Sequence, residues 1–306
     1  DITLTFSLAI SILILLVSIY AKNVLEFTSF PSLLLLTTLF RLALNVATTR
    51  LILSHGHEGP KAAGDVINAF GNFVVGNNYA IGFIVFMILI VINFIVITKG
   101  SGRVAEVAAR FTLDAMPGKQ MSIDAELNAG VINEVEARKR RKEIEKEADF
   151  YGSMDGASKF VRGDAIAGIV IMVINVVGGL LIGVIQKDLD FATAAKYYTM
   201  LTIGDGLLAQ IPALIISTAA GMIVTRSSSN DENMGQEVAS QLFISTRAVY
   251  ISATVLVLLG IVPGLPTIPF FAIGSFLAIV AWTIDKYKAE SALEEKKKSE
   301  AAIAAP

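Results

Sequence analysis

Charged side chains inside apolar segments are where chemistry would first show in this chain. An ion at mid-bilayer depth costs about 3 kcal/mol or more, and it persists only where it faces a partner or water. Along residues 31–53, Thr37, Arg41, Asn45 and Thr48 recur every three or four positions and form one polar stripe on a helix. Arg41 is therefore expected to face protein or water. Arg50 falls on the opposite side, within about 5 Å of the outer helix end at 1.5 Å per residue, where snorkelling accounts for it and leaves its role open. Along residues 163–185, Asp164, Gly168, Asn175, Gly179 and Gly183 share a face suited to close packing against another helix. Asp164 stands in the first turn of that segment, so it reads either as a helix cap or as an ion site, with Lys159 and Arg162 close enough in sequence to pair with it. Along residues 199–224, Asp205 lies a turn and a half to two turns inside Tyr197 and Tyr198, which read as an interfacial belt. Gly204, Gly206 and Pro212 flank it, the kind of interruption that breaks a membrane helix and frees carbonyls at binding sites. A local capping bond after a kink is the other reading of Asp205. With Asp164 toward the inner face and Asp205 toward the outer, the two carboxylates could stage a proton or Na⁺ through the bilayer. Whether they share one path is open at this point.

Other chemistries lack their residues. No Gly-x-x-x-x-Gly-Lys-[Ser/Thr] occurs; Gly118-Lys119-Gln120 comes nearest and has no glycine five residues before Gly118. His55, His57 and Glu58 are spaced poorly for a closed metal site, so no metal is expected. The Gly100-Ser101-Gly102 turn has Ala105 where a third glycine would stand and follows a membrane span, so it reads as a flexible exit and not as a dinucleotide loop. The chain has no cysteine, which excludes thiol nucleophiles and thiolate sites. It is not expected to be an enzyme or to hold a cofactor other than H⁺ or Na⁺ in transit, so any work must be driven elsewhere.

The elements that position these residues are membrane spans. Of 306 residues 54% are hydrophobic and 17% charged, with a mean hydropathy of +0.65, against about 25% charged in soluble domains. Seven stretches are long and apolar enough to cross: 2–20, 31–53, 79–98, 163–185, 199–224, 242–260 and 265–284. The expected fold is an all-α polytopic membrane bundle with a helical cytoplasmic loop. Residues 1–98 hold spans with a short outer loop carrying an amphipathic piece at 62–75. Residues 99–162 form the cytoplasmic loop, 163–285 hold further spans, and 286–306 make a tail and the start of a linker. Alternate connections carry 19 and 3 Lys and Arg, which puts the loop of residues 99–162 in the cytoplasm and Asp1 outside. The first apolar stretch has no basic region before it and is not a signal peptide, so a preceding span, eight in all, and further protein after the tail are expected.

Inside the loop, Asn133 with Glu136 three residues on makes an N-cap with a back-reaching acid. Glu134 with Arg138, Glu136 with Arg140, Lys139 with Glu143 and Arg141 with Glu145 are opposite charges four apart. These acids neutralise the basic run 138–142, and the net charge of −2 offers nucleic acid no attraction. Segments 103–113 and 122–128 look helical, with Pro117-Gly118 as a turn between them.

The decapeptide Arg41-Leu42-Ala43-Leu44-Asn45-Val46-Ala47-Thr48-Thr49-Arg50 resembles the signature of the FHIPEP family, the large export-gate proteins of bacterial flagella and virulence type III secretion systems. Val96-Ile97-Thr98-Lys99-Gly100, Arg110 to Gln120, Asp149 to Ala157 and Arg162 to Gly168 are similar to further family blocks, and the likeness covers nearly the whole chain. Ile92-Asn93-Phe94 and Ser101-Gly102-Arg103 resemble the flagellar branch. The resemblance implies an eight-span protein of the bacterial inner membrane, at the flagellar basal body, followed by a cytosolic domain that docks chaperones and exported flagellar proteins. It also implies a homo-oligomeric ring of about nine copies, contacts with other export-gate subunits and the export ATPase complex, and coupling of an H⁺ or Na⁺ gradient to protein export. By motif position, the family's sensitive charges fall on Arg50, Arg103, Arg110, Asp114, Lys159, Asp164 and Asp205, with Asp1 at the start of the chain. On this view Asp164, with Lys159 nearby, binds the driving cation, and Arg103, Arg110 and Asp114 transmit its binding to the loop. The homologous gate of a virulence system is an alternative. So is a small-solute secondary transporter, which would show two matching repeats that this sequence lacks. In a third reading the ring is purely structural and its charges pair between neighbouring subunits.

Overall fold

A computed structural model describes residues 1–76, 78–95, 100, 102–226, 234–243, 245–262 and 266–304. Among them every regular element is helical. The helices are α1 (Ile2–Tyr20), α2 (Phe30–His55), α3 (Asp65–Val75), α4 (Tyr79–Ile95), α5 (Gly102–Asn128), α6 (Glu134–Leu181), α7 (Phe191–Thr225), α8 (Met234–Leu242), α9 (Thr246–Ile261) and α10 (Thr267–Ala304). Each of the seven expected apolar stretches falls on a helix. Among the described residues five helices are long and apolar enough to cross a membrane, α3 and α4 together make a sixth if the bent pair counts as one span, and α9 is apolar but shorter. The ends of the stretches at 79–98 and 265–284, the Val96 to Lys99 part of the family block and Ser101 of the glycine turn lie outside the described residues.

The described chain divides into two compact units, Asp1–Asn233 and Met234–Pro306. In the first, α7 is the central element: α1 to α6 all pack against it, and 56% of its apolar window is buried against 22% for α1. Lipid offers helices no hydrophobic reason to associate, so close packing of small residues does the work. Ser7, Ser11 and Ser18 line the buried face of α1, and Ser11 and Ser18 return their hydroxyl protons to carbonyls one turn back at 2.8 and 2.7 Å. Gly204 leaves room for the Ile67 backbone of α3, and a Cβ on Gly71 would stand 2.8 Å from the Met200 carbonyl. In the second unit α9 and α10 form a hairpin, where a Cβ on Gly274 would stand 2.8 Å from Val257.

Helix α7 runs unbroken through Gly204, Gly206 and Pro212, which corrects the expected break. The glycines serve close approach, to Ile67 on one side and to Met172 and Phe86 on the other, and surrounding helices hold the proline in line. Tyr198 is likewise no interfacial anchor: it is fully buried, its ring clasped by Gly56, Gly179 and Gly183.

The loop folds into a helical hairpin. Asn133 caps α6, its Oδ1 accepting from the Glu136 N–H at 2.8 Å, while the Glu136 carboxylate turns to Arg140 at 3.2 Å. Glu134–Arg138 forms at 2.7 Å. Arg141, expected to meet Glu145, bonds Asp124 of α5 instead; Arg140 also reaches Glu126 and Lys119 reaches Glu147. These cross-hairpin pairs, with Ile123, Ala137 and Ile144 packed between them, hold α5 continuous through Pro117 where a turn was expected. Helix α6 is 48 residues of one rod, about 72 Å at 1.5 Å per residue, joining this hairpin to the intramembrane core.

Candidate functional site

The polar stripe of α2 is buried as its spacing requires: Thr37, Arg41, Asn45 and Thr48 all face protein. Arg41 meets the buried face of α6, where its Nη2 lies 2.9 Å from Asp164 Oδ2, with side chains 6% and 1% exposed. The same Nη2 donates to the Ala209 carbonyl of α7 at 3.0 Å. The carbonyl that Pro212 leaves without its helix N–H is that of Leu208, so Ala209, whose carbonyl still has Ala213 as its helix partner, takes the guanidinium as a second donor. One guanidinium thus ties three helices together.

This geometry corrects two readings of Asp164. The helix that carries it begins at Glu134, thirty residues earlier, so the carboxylate caps nothing. Nor do Lys159 and Arg162 pair with it. Lys159 turns outward and donates to Asp155 one turn back at 2.6 Å, and the Arg162 guanidinium lies over Gly102, where a Cβ would stand 2.6 Å from Nη2. The partner came from a distant helix that already carried a polar stripe.

Asp164 and Asp205 line one narrow cavity of about 40 Å³, together with Arg41, Asn45, Asn93 and Gln210. That volume suits one or two waters or a small cation. Met172, against which Gly206 packs, is eight residues beyond Asp164, so the carboxylates are offset by about 12 Å along the bundle at 1.5 Å per residue. The Thr48 hydroxyl lies between the Asn45 carbonyl, at 3.1 Å, and the Asp205 carboxyl, and has one proton to give. Asn93 Nδ2 donates to Gln210 Oε1 at 2.8 Å across the cavity wall. Oδ1 of Asp164 and Nε and Nη1 of Arg41 have no hydrogen-bond partner among the described residues. Such a chamber has room for one small cation at a time at either carboxylate, and at Asp164 the cation would exchange against the arginine.

The other expected site residues lie elsewhere. Asn175 is on the Asp164 face of α6, about three turns farther along the helix, fully buried. Arg103, Arg110 and Asp114 are exposed on α5, with Arg110 and Asp114 4.0 Å apart, and do not reach the cavity. Arg50 is exposed near the C-terminal end of α2, in a shallow groove shared with Lys187. The Asp1 carboxylate accepts from the Val66 N–H at 3.1 Å and the Asp65 N–H at 3.3 Å, capping α3. Asn93 and Gln210 are site residues that a scan restricted to ionisable groups passes over. Their signal is amide side chains inside the apolar stretches 79–98 and 199–224.

These features define a polytopic helical membrane protein with an arginine–carboxylate pair and a second carboxylate on one internal chamber. Residues 1–306 match the FHIPEP family throughout. The chain is 60% identical over 295 residues to the flagellar biosynthesis protein FlhA of Salmonella typhimurium, covering 96% of the chain and 42% of that protein. It is 60% identical over 296 residues to FlhA of Escherichia coli, 97% of the chain and 43% of that protein. With FlhA of Proteus mirabilis it shares 59% identity over 300 residues, 98% of the chain and 43% of that protein. No solved structure matches it. The chain belongs to the FHIPEP family, and it spans less than half the length of these curated relatives.

Proposed function

We propose that this chain is the membrane region of a flagellar type III export gate, a non-enzymatic subunit that couples an H⁺ or Na⁺ gradient to protein export across the inner membrane. The observation that carries the reading is that Asp164 and Asp205 share one internal cavity, with Asp164 held by Arg41 at 2.9 Å. A cation reaching Asp164 competes with Arg41 for the carboxylate. Arg41 then retains only the Ala209 carbonyl, and the tie between α2, α6 and α7 loosens. Because α6 is continuous from Glu134 past Asp164 and α5 packs along it from Gly102, which abuts Arg162, the shift passes along the rod into the hairpin that carries Arg103, Arg110 and Asp114. Those exposed charges are suited to contacts with neighbouring copies in a ring, other gate subunits or the export ATPase complex. Chaperones and exported proteins would dock on a cytosolic domain beyond this chain.

The test places Asp164→Asn and Asp205→Asn separately in the full-length protein in cells, and scores export of filament subunits together with assembly of the membrane ring. The reading expects rings that assemble and do not export. Wild-type export from both variants would overturn it and leave Arg41 and Asp164 as a structural pair.

A further inference from the structure

The outer half of the bundle holds buried polar groups that the coupling cavity does not use. Asn175 and Tyr198 are both 0% exposed. Neither Oδ1 nor Nδ2 of Asn175 has a partner among the described residues, and neither has the Tyr198 hydroxyl, the buried Thr49 hydroxyl or His57 Nδ1. An amide and a phenol placed among apolar helices without hydrogen bonds are strongly disfavoured, so such groups ordinarily mark where water or a ligand satisfies them.

Packing puts these groups in one column. On α6 Gly179 follows Asn175 at one turn on the same face, and Gly183 follows at two turns in the π-helical turn Ile182–Gln186 that continues the helix; both abut the Tyr198 ring, and a Cβ on Gly183 would stand 2.7 Å from its Cε2. On the ring's other edge a Cβ on Gly56 would stand 2.6 Å from Cε1, and His57 is the next residue. On α7, Tyr198, Thr202 and Asp205 fall at i, i+4 and i+7, with the Thr202 hydroxyl donating to the Tyr198 carbonyl at 2.7 Å. The Arg41–Asp164 pair and the approach of Leu53 to Gly178 fix α2 beside α6 in one register. That register sets Asn175 within about one turn of Thr48 and Thr49. The column therefore runs from the outer end of the bundle to Asp205.

We propose that His57, Tyr198, Thr49 and Asn175 line a water-filled leg by which a monovalent cation, H⁺ or Na⁺, passes from the outer side to Asp205. This rests on the reading of Asp205 and Asp164 as cation-carrying groups. The Tyr198 ring, fixed by three glycines, is the constriction. Its hydroxyl and the Asn175 amide offer both donors and acceptors, so they can orient waters for proton transfer or replace part of the hydration of Na⁺. None of the leg's residues is a carboxylate, so the leg admits a cation without trapping it before Asp205.

The chain has no cysteine, which gives a clean background for thiol labelling in this region. Asn175→Cys, and separately the more conservative Thr202→Cys, are introduced into the full-length protein in membranes. A small, charged, membrane-impermeant thiol reagent is then added from the outer side. Val173→Cys, exposed on the lipid face of α6, is the control. The proposal expects column cysteines to react at least tenfold faster than the lipid-facing one, before and after Asp205→Asn is added. Outside Na⁺ slowing the reaction assigns the leg to Na⁺, and no effect of Na⁺ assigns it to protons; both support it. Column cysteines that react no faster than the control overturn the leg. If Asp205→Asn still abolishes export in that case, the coupling reading stands without it. If the column labels while both carboxylate variants export normally, the leg stands and the coupling reading fails.

Discussion

Removing Arg41 alone should damage the membrane bundle far more than removing Arg41 and Asp164 together. Their 2.9 Å approach, with side chains 6% and 1% exposed, gives a gross attraction of about 6 kcal/mol at an effective dielectric constant of about 20, most of it offset by the desolvation of two ions. Arg41→Leu orphans a buried carboxylate whose oxygens have no other partner, and breaking a buried pair in this way costs about 3–5 kcal/mol. Asp164→Leu orphans the guanidinium, which keeps its bond to the Ala209 carbonyl, so its cost should sit at the lower end of that range. The double variant replaces both ions with apolar groups and should lose about 1 kcal/mol, chiefly for the lost hydrogen bond from Arg41 to the Ala209 carbonyl. With each single costing about 3 kcal/mol or more and the double about 1 kcal/mol, the cycle predicts a coupling of about 5 kcal/mol or more. Pulse proteolysis of the full-length protein in detergent, across rising denaturant, measures it through loss of the fragment that carries α2 to α7. Singles that add to the double within about 0.5 kcal/mol would refute the pair as a coupled unit.

Further outcomes follow from single contacts. Gly183→Leu drives a side chain into the Tyr198 ring, whose Cε2 a bare Cβ would already approach to 2.7 Å, and overpacking of this kind should cost about 1–3 kcal/mol; the same denaturation assay checks it. Gly163 has open space around its would-be Cβ, so Gly163→Ala should stabilise α6 by about 1 kcal/mol. Gly163→Pro, which removes the bond to the Lys159 carbonyl and breaks the rod, should leave rings assembled and export absent; both are read by export and ring assembly. At the start of α7 the Asp190 carboxylate accepts from the Thr193 hydroxyl and from the Thr193 N–H at 2.9 Å, and these bonds, the hydroxyl's first, hold its carboxyl below the ordinary range. Its contribution is therefore full above about pH 4 and lost as pH falls below that. Asp190→Asn should flatten the acid limb of a stability profile and leave the profile from pH 5 to 8 unchanged.

Much of this architecture was legible in residue spacing. The period of Thr37, Arg41, Asn45 and Thr48 put Arg41 on a protein-facing stripe, and Asp164, Asn175, Gly179 and Gly183 predicted the face of α6 that meets α7. Asp164 and Asp205 stood out because carboxylates are scarce in apolar stretches. What spacing along one helix could not supply was a partner on another. Lys159 and Arg162 were near Asp164 in sequence, whereas Arg41 is near it in space. Local signals were overruled where packing outweighed them. Pro117 and Pro212 each remove one backbone bond, yet cross-hairpin ion pairs around α5 and six helices around α7 hold both elements continuous. Tyr198 had an interfacial residue type, and three glycines on two other helices turned it inward.

The central claim is that the two buried carboxylates on one cavity carry the coupling cation. The most direct measurement is cation flux through the full-length protein reconstituted in vesicles under an imposed H⁺ or Na⁺ gradient, comparing the native protein with Asp164→Asn and with Asp205→Asn. Flux that falls at least tenfold in each variant, with the protein still assembled, is the predicted result. Undiminished flux in both variants would contradict it.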